Sequence, residues 1–273
     1  MLEVASAGGM GEWMHHSQPR VELHLPSPPL PSLRDLETSF VHVSEAQLAA
    51  IMQHTQLTRL RLEYAGLKAL PQQLRGMANL RCLELCSQLR LPKGFANLKG
   101  LHLTRLQITD TNLAKLPPAL SSLTDLVQLI LTENEQLAHG WEHLANLPRL
   151  ETLSLGGSYS LNPGLPASLT TFASLRHLSL RLTPHLVRSL WPLAPRLAHL
   201  TSLDIMVADM EELPHAITHL SRLQSLDLRH NHLLACGWQR LSALRQLTAL
   251  ELEGCTHAPA DLHLLLPMAQ LTL

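Results

Sequence analysis

Between residues 103 and 126 the chain reads LTRLQITDTNLAKLPPALSSLTDL. Apolar side chains fall at Leu103, Leu106 and Ile108, the alternation of an extended strand. They then fall at Leu113, Leu116, Leu120 and Leu123, where steps of three and four suit a helical turn. The same line returns from Leu57, Leu80, Leu126, Leu150, Leu175, Leu200, Leu223 and Leu247. Ten steps carry Leu33 to Leu271, a period of about 24 residues. Such a period predicts an α/β solenoid, each unit giving one strand to a continuous parallel sheet and a short helix, 3-10 turn or loop to the opposite side. The loop halves need more width than strands, so the array curves into a horseshoe with the sheet on its concave face.

The periodicity also divides the chain. Residues 1–32 form an N-terminal flexible segment: Gly, Ser, Met and His without pattern up to about residue 20, a candidate edge strand in Val21, Leu23 and Leu25, and the stiff connector PSPPLPS. Residues 33–273 form the repeat domain of about ten units. In the first unit TSFVHVSEAQLAAIMQHTQ replaces the usual loop with something more helical, and in the unit from Leu80 the register between Cys86 and Leu98 is uncertain. Leu271 begins an eleventh strand just before the sequence stops, with no polar cap of the kind a free solenoid end needs.

LTRLRLEYAGLKALPQQLRGMAN from Leu57 and LTSLDIMVADMEELPHAITHLSR from Leu200 follow LxxLxLxxxxLxxLPxxLxxLxx. This pattern resembles the leucine-rich repeat family. The pairs Leu70-Pro71, Leu116-Pro117 and Leu213-Pro214 bring it nearest the intracellular LPxxLxxL types: plant intracellular Ras-group proteins, disease-resistance receptors and bacterial type III effectors. The resemblance covers about residues 33 to 273. It implies an asparagine ladder at the ninth position, which here runs Ala65, Gln88, Thr111, Asn134, Ser158, Thr183, Ala208, Asn231 and Cys255. Only two asparagines remain. Thr, Ser and Cys can substitute in part, whereas turns at Ala65 and Ala208 need backbone bonds or water. A second echo joins the stretch from Asn134 to that from Asn231, in which Trp141 and Trp238 stand where other units have proline. They form either a paired aromatic feature on the outer face or the filling of a wider loop.

Strand alternation points the first, fourth and sixth positions inward and the third, fifth and seventh outward. The outward columns collect the candidate partner-binding residues: Arg59, Arg61, Glu63, Glu84, Arg105, Gln107, Ile130, His177, Arg181, Asp204, Met206, Asp227, Arg229, Glu251 and Glu253. Arg59, Arg61 and Arg105 mark a basic early end; Asp204, Asp227, Glu251 and Glu253 mark an acidic late end, which Arg181 and Arg229 neutralise in part. Either the late face receives a basic or mixed segment of a protein, or it is solvated and internally balanced.

Composition narrows the function. A net charge of −1 gives no basic excess for nucleic acid or an anionic membrane. The four cysteines are not gathered into terminal caps, no secretory leader is visible and no apolar run approaches a membrane span, so the expectation is a cytoplasmic protein, monomeric rather than dimeric. His15-His16, His230-x-His232 and Cys255-x-His257 lack the second pair a zinc site requires. Cys82, flanked by arginine columns, could be reactive but is more simply inert. His177, Ser202 and Asp204 share the sheet face, yet an open sheet offers no oxyanion hole. No catalytic, cofactor or metal site is expected. The expectation is a non-catalytic protein-interaction module, a scaffold or signalling adaptor; the alternative is the recognition half of a larger enzyme or receptor.

Overall fold

The computed structural model describes residues 2–4, 30–39, 42–88, 93–157, 164–259, 262 and 270–272. Twelve strands form one parallel sheet in strict chain order: β1 (Leu2–Val4), β2 (Asp35–Ser39), β3 (Arg59–Glu63), β4 (Cys82–Cys86), β5 (Arg105–Thr109), β6 (Gln128–Ile130), β7 (Thr152–Ser154), β8 (His177–Ser179), β9 (Ser202–Asp204), β10 (Ser225–Asp227), β11 (Ala249–Glu251) and β12 (Gln270–Thr272). The order never returns on itself, so the sheet stays open. The alternating stretch Val21–Leu25 lies outside the described residues; the edge strand at the N-terminal side is β1, with Leu2 opposite Leu36. At the other edge Leu271 pairs with Leu250, which puts it at the fourth position of its strand, not the first. The expected register there was three residues out because the last loop is shorter than its predecessors.

The inward columns make the core. From Leu36 through Leu250 the fourth-position leucines are at most 1% exposed, and the first and sixth positions are similarly buried. Each leucine sits over the one in the coil before, so every unit buries its apolar stripe on its neighbours and none could do so alone. Thr38 is the exception: it occupies an inward position, fully buried, and its hydroxyl has no partner among the described residues.

The loop side shows why two motif types coexist. Pro71, Pro117, Pro166 and Pro214, each extended with φ between −71° and −73°, cap the 3-10 turns that follow. The coils after Pro71, Pro117 and Pro214 carry Gly94-Phe95, Gly140-Trp141 and Gly237-Trp238 in register with those Leu-Pro pairs, as the bridges Ala69 to Lys93, Lys115 to His139 and Glu212 to Cys236 fix. Gly140 and Gly237 are left-handed, and a Cβ there would lie 2.5 Å from the Leu116 carbonyl oxygen and 2.4 Å from that of Leu213. Only glycine permits that approach. The aromatic rings then fill the wider loops: Trp141 is 8% exposed and Trp238 4%, which decides against an outer aromatic feature.

The first unit is helical as expected. Helix α1 (Glu45–Met52) opens on a capping box in which the Ser44 hydroxyl accepts from the Gln47 amide and the Gln47 side chain accepts from the Ser44 amide. A second helix, α2 (Pro184–Leu190), accommodates the longer unit from Leu175. The other long loop, at Ser158 to Pro163, lies outside the described residues, as do residues 89–92 of the unit from Leu80.

Side chains at the ninth position tie the coils where they can. Asn134 donates to the carbonyls of Ile108, Leu131 and Thr132 and accepts from the Thr111 and Leu113 amides. Asn231 repeats this with Ile205, Leu228, Ala208 and Met210. Gln88, buried, does the same work: it donates to the carbonyls of Leu62 and Cys86 and accepts from the Leu67 amide. The two alanines are served by others, Ala208 through Asn231 and Ala65 through its carbonyl, which accepts from the Val43 amide.

Candidate functional site

The outward columns of β2 to β11 line one sheet face, as the strand register requires. The predicted residues fall on it in two separate groups. In the early group Glu84 is the centre, with a side chain only 3% exposed. Arg59 reaches its carboxylate at 3.2 Å, Arg61 at 3.3 Å and Arg105 at 3.4 Å. Arg61 also meets Glu63 at 3.1 Å and Glu37 at 3.1 Å, and Ser39 donates to Glu63. Arg105 donates to Gln107 and Gln128, and Gln107 donates to Thr109. Three guanidinium groups thus face three carboxylates. The early end is a closed ion-pair lattice, not the basic patch that the columns suggested. Glu37 was missed because it belongs to the degenerate first unit; its signal was its place opposite Arg61 in the strand register.

Electrostatics follow from that packing. Burial alone would raise the Glu84 pKa, but the Cys82 thiol that donates to it and the charges of Arg59 and Arg105 outweigh burial and hold it below the usual carboxylate value. Burial, reinforced by the Glu84 charge, pushes the Cys82 thiol up to about 11. Burial likewise takes Cys86 to about 11 against the pull of Arg61. Neither is a thiolate at neutral pH, so the reactive-thiol option at Cys82 falls.

The late group is built differently. Asp204, Asp227 and Glu251 stand opposite one another on β9, β10 and β11. Asp227 is held by Arg229, whose Nε and Nη2 donate to the two carboxylate oxygens at 3.0 and 2.7 Å while its backbone amide also donates to Oδ1. Asp204 accepts from the Ser179 hydroxyl at 2.8 Å and the Met206 amide at 3.1 Å, with no cation on it. Among the described residues Glu251, Glu253 and Arg181 have no ion pair, and Glu253 and Arg181 are exposed. Ile130 and Met206 are half-buried apolar points on the same face, and His177 is exposed in register with Ser202. Neither His177 nor Ser202 hydrogen-bonds Asp204, so the trio has no relay geometry. Among the described residues no group of three or more His, Cys, Asp or Glu could hold a metal ion, and no helix is long and apolar enough to cross a membrane.

The same arrangement of coils occurs in solved structures. An internalin from Listeria monocytogenes superposes with a TM-score of 0.64 at 19% identity, over 88% of this chain and 66% of that one. The leucine-rich repeat domain of the type III effector XopL gives 0.62 at 22% identity, over 84% and 80%. This chain has the leucine-rich repeat fold. Type III effector repeats, to which its Leu-Pro motif is similar, are thus among its structural neighbours. No protein-family model matches the repeat array. In sequence it is similar to human volume-regulated anion channel subunits: LRRC8E, 32% identical over 190 residues, and LRRC8D, 27% over 197, each match covering 67% of this chain. The leucine-rich repeat chain spans 22 to 23% of the length of those relatives.

Proposed function

We propose that this leucine-rich repeat solenoid is a non-catalytic interaction module that binds a protein partner across the exposed face of its sheet, as a scaffold or adaptor. The observation that carries the reading is the late half of that face, where in-register carboxylates outnumber the cations that could neutralise them, on strands whose leucine core keeps them rigid. A preformed surface of this kind loses little entropy on binding. Four free cysteines accord with a cytoplasmic setting.

Partner capture from the source cell with wild-type bait tests it against two variants. Thr152→Trp with His177→Trp places bulk on the sheet face, and Gln239→Trp places it on the loop side. The expected result is loss of the partner with the first and retention with the second. Retention with the first and loss with the second would refute the reading.

A second reading is favoured by the relatives. The LRRC8 channel subunits exceed the matched stretch several-fold, and the XopL repeats are one domain of an effector. On that reading this solenoid is the recognition part of a longer enzyme, channel or receptor subunit. An immunoblot of the native protein decides between them by its mass: 30.3 kDa supports a free module and a larger band supports the second reading.

A further inference from the structure

Counterions divide the sheet face into two unlike halves. Around Glu84 every arginine is already committed: Arg59, Arg61 and Arg105 each lie within 3.4 Å of a carboxylate oxygen. A ligand charge of either sign would have to break an existing pair to bind there. The late half has no such closure. Asp227 is chelated by Arg229 on its own coil, and the carboxylates on either side, Asp204 and Glu251, have no ion pair of their own and share only the longer-range field of that one guanidinium. Both are only partly exposed, so their repulsion is not fully screened by water.

The spacing of those two carboxylates specifies what fits. They stand on β9 and β11 with β10 between them, so they are two strand spacings apart, about 9.6 Å. A polyproline II chain rises about 3.1 Å per residue and repeats every three, so residues i and i+3 point the same way about 9.3 Å apart. In a β-strand the nearest like-facing residues are about 6.7 Å apart, which matches neither one strand spacing nor two. Met206, half-buried two residues beyond Asp204, gives an apolar footing beside the first charge.

Resting on the sheet-face reading above, we propose that the occupant of β9 to β11 is an extended, proline-rich segment of a protein partner, laid across the strands, with basic side chains at positions i and i+3. One cation neutralises Asp204 and the other Glu251, straddling the Asp227–Arg229 pair. The chain need not be ordered on binding, because polyproline II is already a low-entropy conformer.

A fluorescein-labelled proline-rich peptide with arginines at i and i+3 tests this by fluorescence anisotropy, beside the same composition with arginines at i and i+2. The protein variants are Asp204→Asn, Glu251→Gln and, on the closed half, Glu37→Gln. Asparagine keeps an acceptor for the Met206 amide, and circular dichroism checks that each variant is folded. The expected result is binding of the i, i+3 peptide that weakens about threefold with each late substitution and about tenfold with both. It should fall further between about 0.05 and 0.3 M salt and be unmoved by Glu37→Gln. Equal binding of the i, i+2 peptide, indifference to Asp204→Asn and Glu251→Gln, or no binding of either peptide would overturn the proposal. If a cellular partner is nevertheless lost on Thr152→Trp with His177→Trp but kept by Asp204→Asn with Glu251→Gln, the face reading stands and only this occupant falls.

Discussion

Replacing Glu84 by glutamine removes one charge from the middle of three arginines and leaves the shape almost unchanged. Removing one partner of a buried ion pair costs about 3 to 5 kcal/mol, because the survivors stay desolvated. Here the survivors are partly wet: the Arg59 side chain is 44% exposed, Arg61 28% and Arg105 36%, so water recovers part of the loss. A cost of about 2 to 3 kcal/mol is the reasonable figure. At about 2.1 cal/mol/K of unfolding entropy per residue, a cooperative array of this size should lose about 4 °C in Tm at pH 7. The dependence on pH separates charge from packing. Glu84 has a folded pKa below its unfolded value, so its contribution is complete above about pH 4.3, the unfolded value, and disappears as pH falls through the folded one. Thermal melts followed by circular dichroism should therefore show a constant gap between wild type and Glu84→Gln from neutral pH down to about 5, closing towards pH 3. A gap under about 1 °C at pH 7 would refute the argument. So would one equally wide in acid, because then the loss would be steric.

Three further outcomes follow from particular contacts. Gly237→Ala should cost about 2 to 4 kcal/mol in urea titrations, since its φ of +87° and the Leu213 carbonyl oxygen 2.4 Å from a new Cβ both oppose it. Gly76→Ala, where a Cβ would meet nothing within 4 Å, should stay within about 0.5 kcal/mol. Thr38→Val keeps the shape of a fully buried side chain and removes a hydroxyl with no partner, so it should stabilise by about 1 kcal/mol, read as a rise of about 2 °C in Tm. In a thiol-reagent assay near pH 8, exposed Cys236 should react fast, whereas Cys82 and Cys86, with pKa values of about 11, and buried Cys255 should react only after denaturation.

The repeat was legible because, Thr38 apart, each coil places leucine or isoleucine at the same inward positions. Leu-Pro was legible too, since proline fixes the φ that starts the next 3-10 turn. What escaped were solutions that use a different residue for the same task. Gln88 makes the ladder bonds of an asparagine with one extra methylene, and Gly94-Phe95 sets its glycine against Leu70 as Gly140-Trp141 does against Leu116, with a ring other than indole. The last register was misjudged because Leu271 could be the first or fourth residue of its strand and only the pairing with Leu250 decides.

The misreading of the early face has a more general cause. Followed column by column along the chain, Arg59, Arg61 and Arg105 look like an excess of charge. A parallel in-register sheet makes each residue the neighbour of two others about 24 positions away, so charge balance is a property of rows across strands. Glu84 takes Arg61 from its own row and Arg59 and Arg105 from the row through Cys82, and its burial is tolerable only because the three close over it. On the row through Asp204, Asp227 and Glu251 three acids follow one another and the single arginine engaged makes its ion pair with the middle one, leaving the outer two only its longer-range field. Both rows hang on the same leucines, so the backbone does not distinguish them. The difference in what each can bind lies wholly in whether its counterions come from the chain itself or must come from outside.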